Sequence, residues 1–220
     1  TVDGTLIDAW ASFKSFKRKD DNEPPKPGDG TGMVDFKGEK RSNATHQSTT
    51  DPDAKLMRKG NGQPAKLSYG GHALMENRSG LCVDLLITDA TLAEHQAARQ
   101  LLTRARRRKI HPKTLGADKG YHVKDFVQHL REHKIKPHIA RIDGRKTPGL
   151  DGRTSCTEGY KVSQRKRKRV EEIFGWLKTV GGMRKTRFIG QARTQIAAYL
   201  SAAAYNLLRI AKLQSAGSAA

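Results

Sequence analysis

Asp3, Asp118 and Glu171 are the residues of this chain best placed by sequence to do chemistry. Asp3 is followed by Gly4 and Thr5, and a residue without a Cβ lets other groups approach the backbone closely. Asp118 ends a predicted strand in ADKGYH (Ala117–His122), where Gly120 permits a tight exit. Glu171 sits within QRKRKRVEEIFGWLKTVGG (Gln164–Gly182), a strongly basic stretch that stops at Gly-Gly. Three carboxylates gathered at sheet ends would make an all-oxygen site suited to Mg²⁺ or Mn²⁺. Two such ions, roughly 4 Å apart, activate a water or a 3′-hydroxyl and stabilise the leaving oxygen of an in-line phosphodiester attack. Taken singly, each acid has a blander reading, since an Asp at a strand end more often makes an Asx turn or caps a helix. Asp51 and Asp53 are rival acids, but their Pro-containing polar segment reads as a loop. His129 and His133, spaced i, i+4, could hold a metal; no HExxH surrounds them, and a solvated helix face is the better reading.

The basic stretch must be a helix to present Glu171 usefully. Val170, Ile173, Phe174, Leu177 and Val180 recur at three- and four-residue steps and so share one face. At about 100° per residue from Val170, they fall roughly between −80° and +40°. Arg167, Glu171 and Lys178 fall near roughly 60°, 100° and 80°, a single stripe beside that face, whereas Glu172 falls near roughly 200°. Geometry therefore selects Glu171 over Glu172 as the working acid. Lys161–Arg187 holds ten Lys/Arg against two Glu, a bias that suits a helix delivering a carboxylate to a polyanion. Arg165, Arg167, Lys168, Lys178, Arg184 and Lys185 are the candidate contacts to that polyanion. A solvated helix with ordinary ion pairs is the competing reading of this segment. Trp176, near roughly 240°, could stack on a base, but packing under a neighbouring element is preferred.

The formal net charge of +20 and pI near 10.2 point to a polyanionic partner, most simply nucleic acid. Lys and Arg recur in several separate segments, unlike a basic tail on a neutral body. No apolar run approaches the roughly 18–20 residues needed to cross a membrane, and no signal peptide is visible. A cationic surface also suits anionic lipid, but no clear Trp/Phe/Leu-faced amphipathic segment supports that reading. Cys82 and Cys156 are too few for a disulfide framework, and Cys82, in an apolar run, reads as a core thiol; both suit a reducing cytosol. The chain opens at Thr1, directly inside an apparent element, which is the expectation for a piece of a longer product.

Along the chain, Thr1–Ala11 reads as a strand and a turn or short helix, and the polar stretch of residues 17–66 as an insertion, functional loop or disorder outside the core. Leu67–Met75 and Gly80–Thr88 then predict a hairpin turning at Asn77–Gly80. Thr91-Leu-Ala-Glu94 has the pattern of a capping box, opening a helix through about Arg108. A strand over Thr114–Ala117, a helix marked by Val123, Phe126, Val127 and Leu130, and a strand over Lys136–Arg141 follow. Residues 142–160 read as a flexible loop into the basic helix, and Arg193–Leu213 as a final helix carrying Ile196, Leu200, Ala203, Leu207 and Ile210 as a heptad-like stripe. Residues 214–220 read as a disordered tail. This order predicts an α/β fold, a mixed sheet flanked by helices, in one domain over residues 1–213, with Asp118 at a strand's C-terminal end. The residues by themselves reach a basic α/β nucleic-acid protein, with a metal nuclease as one reading.

Four blocks go further. Asp3–Phe16 (DGTLIDAWASFKSF), Phe36–Gly60 (FKGEKRSNATHQSTTDPDAKLMRKG), ADKGYH and the basic stretch together resemble the DDE transposases of bacterial insertion sequences. The likeness runs over nearly the whole chain and is greatest for the insertion-sequence-five type within the insertion-sequence-four group. It implies an RNase H-like fold with a long polar insertion after the first strand. It also implies a two-metal Mg²⁺ or Mn²⁺ site on Asp3, Asp118 and Glu171, which cuts and rejoins DNA at element ends. The family carries a Tyr-x2-Arg-x3-Glu-x6-Lys signature on a helix, which Arg167, Glu171 and Lys178 match; Gln164 stands at the Tyr position, with Tyr160 one turn earlier. The resemblance further implies double-stranded DNA partners (terminal inverted repeats and target), action as a homo-oligomer on paired ends, and a cytoplasmic, nucleoid-associated setting. Relatives also carry an N-terminal region that helps bind the repeats. An inactive or repurposed DNA-binding remnant and an RNase H-like nuclease without strand transfer are the alternatives.

Overall fold

A computed structural model describes residues 1–19 and 41–218. Its centre is the hairpin foreseen from sequence: β5 (Lys66–Met75) and β6 (Cys82–Asp89) run antiparallel, and Gly80 takes the positive φ of 73° that their turn requires. β1 (Val2–Asp8) pairs antiparallel along the other side of β5, from Val2↔Leu74 to Asp8↔Ser68. Nearly every residue of β5 is buried, as befits a central strand. β7 (Thr114–Ala117) and β8 (Lys136–Ile139) pair parallel, joined through α2 (Lys124–Glu132). β7 lies against the start of β1, where a Cβ on Gly116 would come 3.0 Å from Thr1 Oγ1.

Helices cover both faces. On one, α1 (Glu94–Arg107) and α2 close a core with Val2, Leu74, Leu86, Leu115 and Ile139. On the other, α5 (Val170–Thr179) and α6 (Gln191–Ser218) pack over Ile7, Tyr69, Leu85 and Ile87. The result is the expected α/β architecture, with the antiparallel strands and the parallel β7–β8 pair in separate sheets instead of the single mixed sheet predicted. No helix among the described residues is long and apolar enough to cross a membrane.

Several expectations are corrected. α1 begins at Glu94 with Ala93 as its N-cap and no side-chain cap; Thr91 Oγ1 donates instead to Asp89 Oδ1 at 2.6 Å, so Thr91–Glu94 is not a capping box. The 142–160 loop contains α3 (Gly152–Ser155) and the start of α4 (Glu158–Lys166), and buried His122 anchors it by accepting from Ile142 N at 2.9 Å. The basic helix is α4 and α5 joined by a 3-10 turn, Arg167–Arg169. Val180 points to solvent, not into the core. α6 runs through Ser218, into the segment read as a disordered tail.

Within the 17–66 segment, residues 20–40 lie outside the described residues. What is described is not apart from the core. β3 (His46–Ser48) pairs β2 (Phe16–Arg18), β4 (Lys55–Met57) extends the sheet beside the start of β5, and Asp51 and Ala54 are buried. Strands of three residues carry too few side chains to show a period.

α6 reverses its sequence reading. Its apolar stripe of Ile196, Leu200, Leu207 and Ile210 is exposed, and Thr194, Ala198, Ala202 and Tyr205 face inward. Small residues let the helix approach β6 closely, and its amides then replace a missing strand. Gln191, Gln195 and Asn206 exchange hydrogen bonds of 2.7–3.0 Å with the backbone of Cys82, Leu85 and Ile87, blocking an edge that would otherwise invite pairing.

Candidate functional site

The adjacency of β1 and β7 sets the site. Asp3 lies on β1, and Asp118 follows the last residue of β7 as N-cap of a 3-10 turn, Lys119–Tyr121. Each makes the local bond expected of a turn residue: Asp3 Oδ1 accepts from Gly4 N and Asp118 Oδ1 from Gly120 N, both at 2.8 Å. That use takes one oxygen each. Among the described residues neither Oδ2 accepts a hydrogen bond. The Asp3 carboxyl is held above its ordinary pKa by burial first and then, against the Gly4 bond, by Asp118; Arg167 opposes and Glu171 adds to the rise. Asp118 and Glu171 thus both lie close enough to act on Asp3.

Glu171 is exposed on α5, whereas Glu172 acts on Tyr205 of α6, away from the acids. Across the intervening 3-10 turn, Arg167 meets β7, Lys178 meets β1 and Glu171 lies close enough to act on Asp3. Arg167 Cβ would lie 3.4 Å from a Cβ on Gly116, and Lys178 Nζ donates to Thr5 Oγ1 at 2.6 Å, two residues along the strand from Asp3. Burial first, then Lys59, lowers the Lys178 pKa.

Gln164, at the position of the signature Tyr, accepts from Arg167 Nε at 3.0 Å and donates to His138 O on β8. It orients the arginine. Tyr160 Oη donates to Ile139 O at 2.9 Å, tying α4 to the end of β8. Trp176 packs edge-on against Tyr205, centroids 5.9 Å apart, as preferred from sequence.

Of the remaining basic residues singled out, Arg184 and Lys185 flank the far end of β1, where Asp8 N donates to Arg184 O and Lys185 Nζ stands 4.9 Å from the Trp10 ring centroid. Arg165 and Lys168 are exposed on α4 and the 3-10 turn, Arg165 reaching Glu158 at 3.9 Å. Ligating atoms of His129, Glu132 and His133 lie within 4.8 Å of one another. Burial first, then His133 and Arg99, holds His129 below its ordinary pKa, with Arg106 adding to the effect; two arginines make this a poor place for a cation. Cys82 is buried and its thiol is pushed up to about 12, the inert core thiol expected.

The residue that sequence reasoning missed is Glu94. Its carboxyl is raised to about 7, by burial first, then by Asp118 and Asp3. The signal was present, an acid opening a helix after the β5–β6 hairpin, but the capping-box reading absorbed it. A carboxyl raised in the folded state leaves stability intact below the ordinary value of 4.5 and costs stability as pH rises through about 7. Glu94→Gln is therefore expected to melt like the parent near about pH 5 and progressively above it toward about pH 8 in metal-free buffer. Calorimetry of the pair checks this; a constant difference would contradict it.

The chain matches the family model described as "Transposase DDE domain" over residues 42–207, a span that contains Asp118 and Glu171 and leaves Asp3 outside. Neither a curated protein nor a solved structure matches it.

Proposed function

This chain belongs to the transposase DDE domain family, and from that premise we propose that it is the catalytic domain of an insertion-sequence transposase, of the insertion-sequence-five type. Asp3, Asp118 and Glu171 are its metal-binding acids. One observation carries the reading. In a chain with 42 Lys and Arg against 22 Asp and Glu, none of these three acids forms an ion pair among the described residues, although Asp118 and Glu171 both act on Asp3. Acids left unpaired on so basic a protein suit a cationic ligand. The donor set fits a divalent ion, since it is all oxygen and the Oδ2 atoms of Asp3 and Asp118 are uncommitted. Bound there, Mg²⁺ or Mn²⁺ would activate a water or 3′-hydroxyl and stabilise the leaving oxygen of the phosphodiester.

The protein's own residues supply the rest. Arg167 and Lys178 stand on either side of Glu171 in sequence and along the β1–β7 edge, where they would grip the phosphates flanking the scissile bond. Arg165, Lys168, Arg184 and Lys185 extend that basic surface. The strand arrangement, β6-β5-β1 antiparallel with parallel β7-β8 beside β1, supports an RNase H-like fold in which the 17–66 segment is inserted between β1 and β5.

The test is Mg²⁺-dependent cutting and joining of duplex DNA carrying the ends of the element. Joined products support the reading; hydrolysis without joining favours a nuclease, and binding without cutting favours a repurposed DNA-binding protein. A separate expectation concerns the basic stripe. Arg167→Ala with Lys178→Ala should weaken DNA binding and reduce the slope of log affinity against log salt by about two. An unchanged slope in fluorescence anisotropy titrations would remove these residues from the DNA-binding surface.

A further inference from the structure

Glu94 does not cap its helix; its carboxyl reaches back across the strand ends. A Cβ on Gly4 would lie 2.7 Å from Glu94 Oε1, and one on Gly120 would lie 3.6 Å from Glu94 Oε2 and 3.1 Å from Asp118 Oδ1. The group therefore spans from the residue after Asp3 to the turn that holds Asp118. Among the described residues its carboxyl forms no hydrogen bond and no ion pair. Glycine at position 4 leaves room for the carboxyl, because a Cβ there would displace it.

Two buried polar atoms near this carboxyl are also without partners. His72 is 3% exposed, bonds Thr88 Oγ1 through Nε2, and leaves Nδ1 unpaired, 3.1 Å from the same Gly4 position. Tyr121 is wholly buried, its hydroxyl unpaired, and the charges acting on it are Glu94, Asp3 and Asp118. Buried polar atoms are seldom left unsatisfied, and an ion with its bound water is a common reason for an exception. An unpaired carboxylate thus faces Gly4 and the Asp118 turn. The orphaned His72 nitrogen lies against the same Gly4 position, and the orphaned Tyr121 hydroxyl is within reach of the charge of all three acids.

We propose that Glu94 is a fourth carboxylate of the divalent-cation site, holding the metal from the α1 side with Asp3 and Asp118 while Glu171 approaches from α5. This rests on the reading of Asp3 and Asp118 as metal ligands. Glu94→Gln keeps the shape and removes one anionic donor.

The experiment is titration of the purified protein with Mn²⁺, followed by electron paramagnetic resonance and by the Mn²⁺-induced rise in melting temperature. Parent, Glu94→Gln, Asp118→Asn and, as a control, Glu132→Gln are compared. Glu94→Gln should weaken Mn²⁺ binding by about 10–100-fold and lose most of the Mn²⁺-induced rise, while Glu132→Gln behaves as the parent. Should Glu94→Gln fail to fold, Gly4→Ala displaces the same carboxyl without removing charge and carries the same expectation. Mn²⁺ affinity lost in Asp118→Asn but unchanged in Glu94→Gln overturns the role of Glu94 and leaves the metal site standing. Affinity unchanged in both overturns the site itself.

Discussion

Asp118→Asn is expected to slow Mg²⁺-dependent cleavage of element-end DNA by about a thousandfold, with the protein still folded. The substitution is clean because the local structure needs only the oxygen that asparagine retains. Asp118 Oδ1 accepts from Gly120 N at 2.8 Å and caps the Lys119–Tyr121 turn, and an amide oxygen can accept the same bond. What is lost is the negative charge and the free second oxygen. Asp3→Asn follows the same logic through Gly4 N at 2.8 Å, and Glu171→Gln tests the acid brought by α5. Because the carboxylates raise the Asp3 pKa, removing one charge should leave the metal-free fold no less stable. Single-turnover cleavage alongside thermal melting separates the two effects. Residual activity within tenfold of the parent in all three variants would sink the assignment.

Asp51→Ala is expected to cost about 3 kcal/mol of folding stability, the largest loss among single substitutions considered. Asp51 is 0% exposed, and both its oxygens lie 2.7 Å from Tyr69 Oη while Oδ1 also accepts from Gly190 N at 3.2 Å. Burial first, then the bond to Asp51, pushes the Tyr69 phenol far above its ordinary range, so it remains a donor at any working pH. Truncation leaves that buried hydroxyl and the Gly190 amide without acceptors, each costing about 1–3 kcal/mol. Asp53 Oδ2 accepts from Gln191 N at 2.9 Å, so the same short segment also holds the first turn of α6. Asp51→Asn, keeping an acceptor, should lose less. Urea unfolding should show a lower midpoint at unchanged slope; a loss below about 1 kcal/mol would show that water takes the place of the carboxylate.

Asp51 also shows where sequence reading stops. The Thr45–Leu56 segment contains Pro and polar residues and no apolar period, so it reads as a loop; its local turn is real, Ala54 N donating to Asp51 O at 3.1 Å. That the turn is buried against Tyr69 and the start of α6 depends on partners 18 and 139 residues away in the chain. Where period and length were adequate, the sequence was readable. The β5–β6 hairpin, β7, α2, β8 and, Val180 apart, the buried face of α5 stand where the side-chain pattern placed them. α6 failed for a definable reason. Its apolar stripe was regular, but close packing on β6 selected alanines for the inner face, and periodicity alone does not say which face is covered.

By itself, then, the sequence determined the charge and the α/β order of elements, and it singled out Asp3, Asp118 and Glu171 as the candidate acids, with Glu171 preferred to Glu172. Those are local properties, carried by residue type and spacing along one helix or strand. Only the tertiary structure decided that Gln164 orients Arg167, that Asp51 is a core residue, and that Glu94 stands over Gly4 and beside Asp118. Each of these depends on a contact between segments distant in the chain, and no short-range pattern encodes which two strand ends will lie side by side.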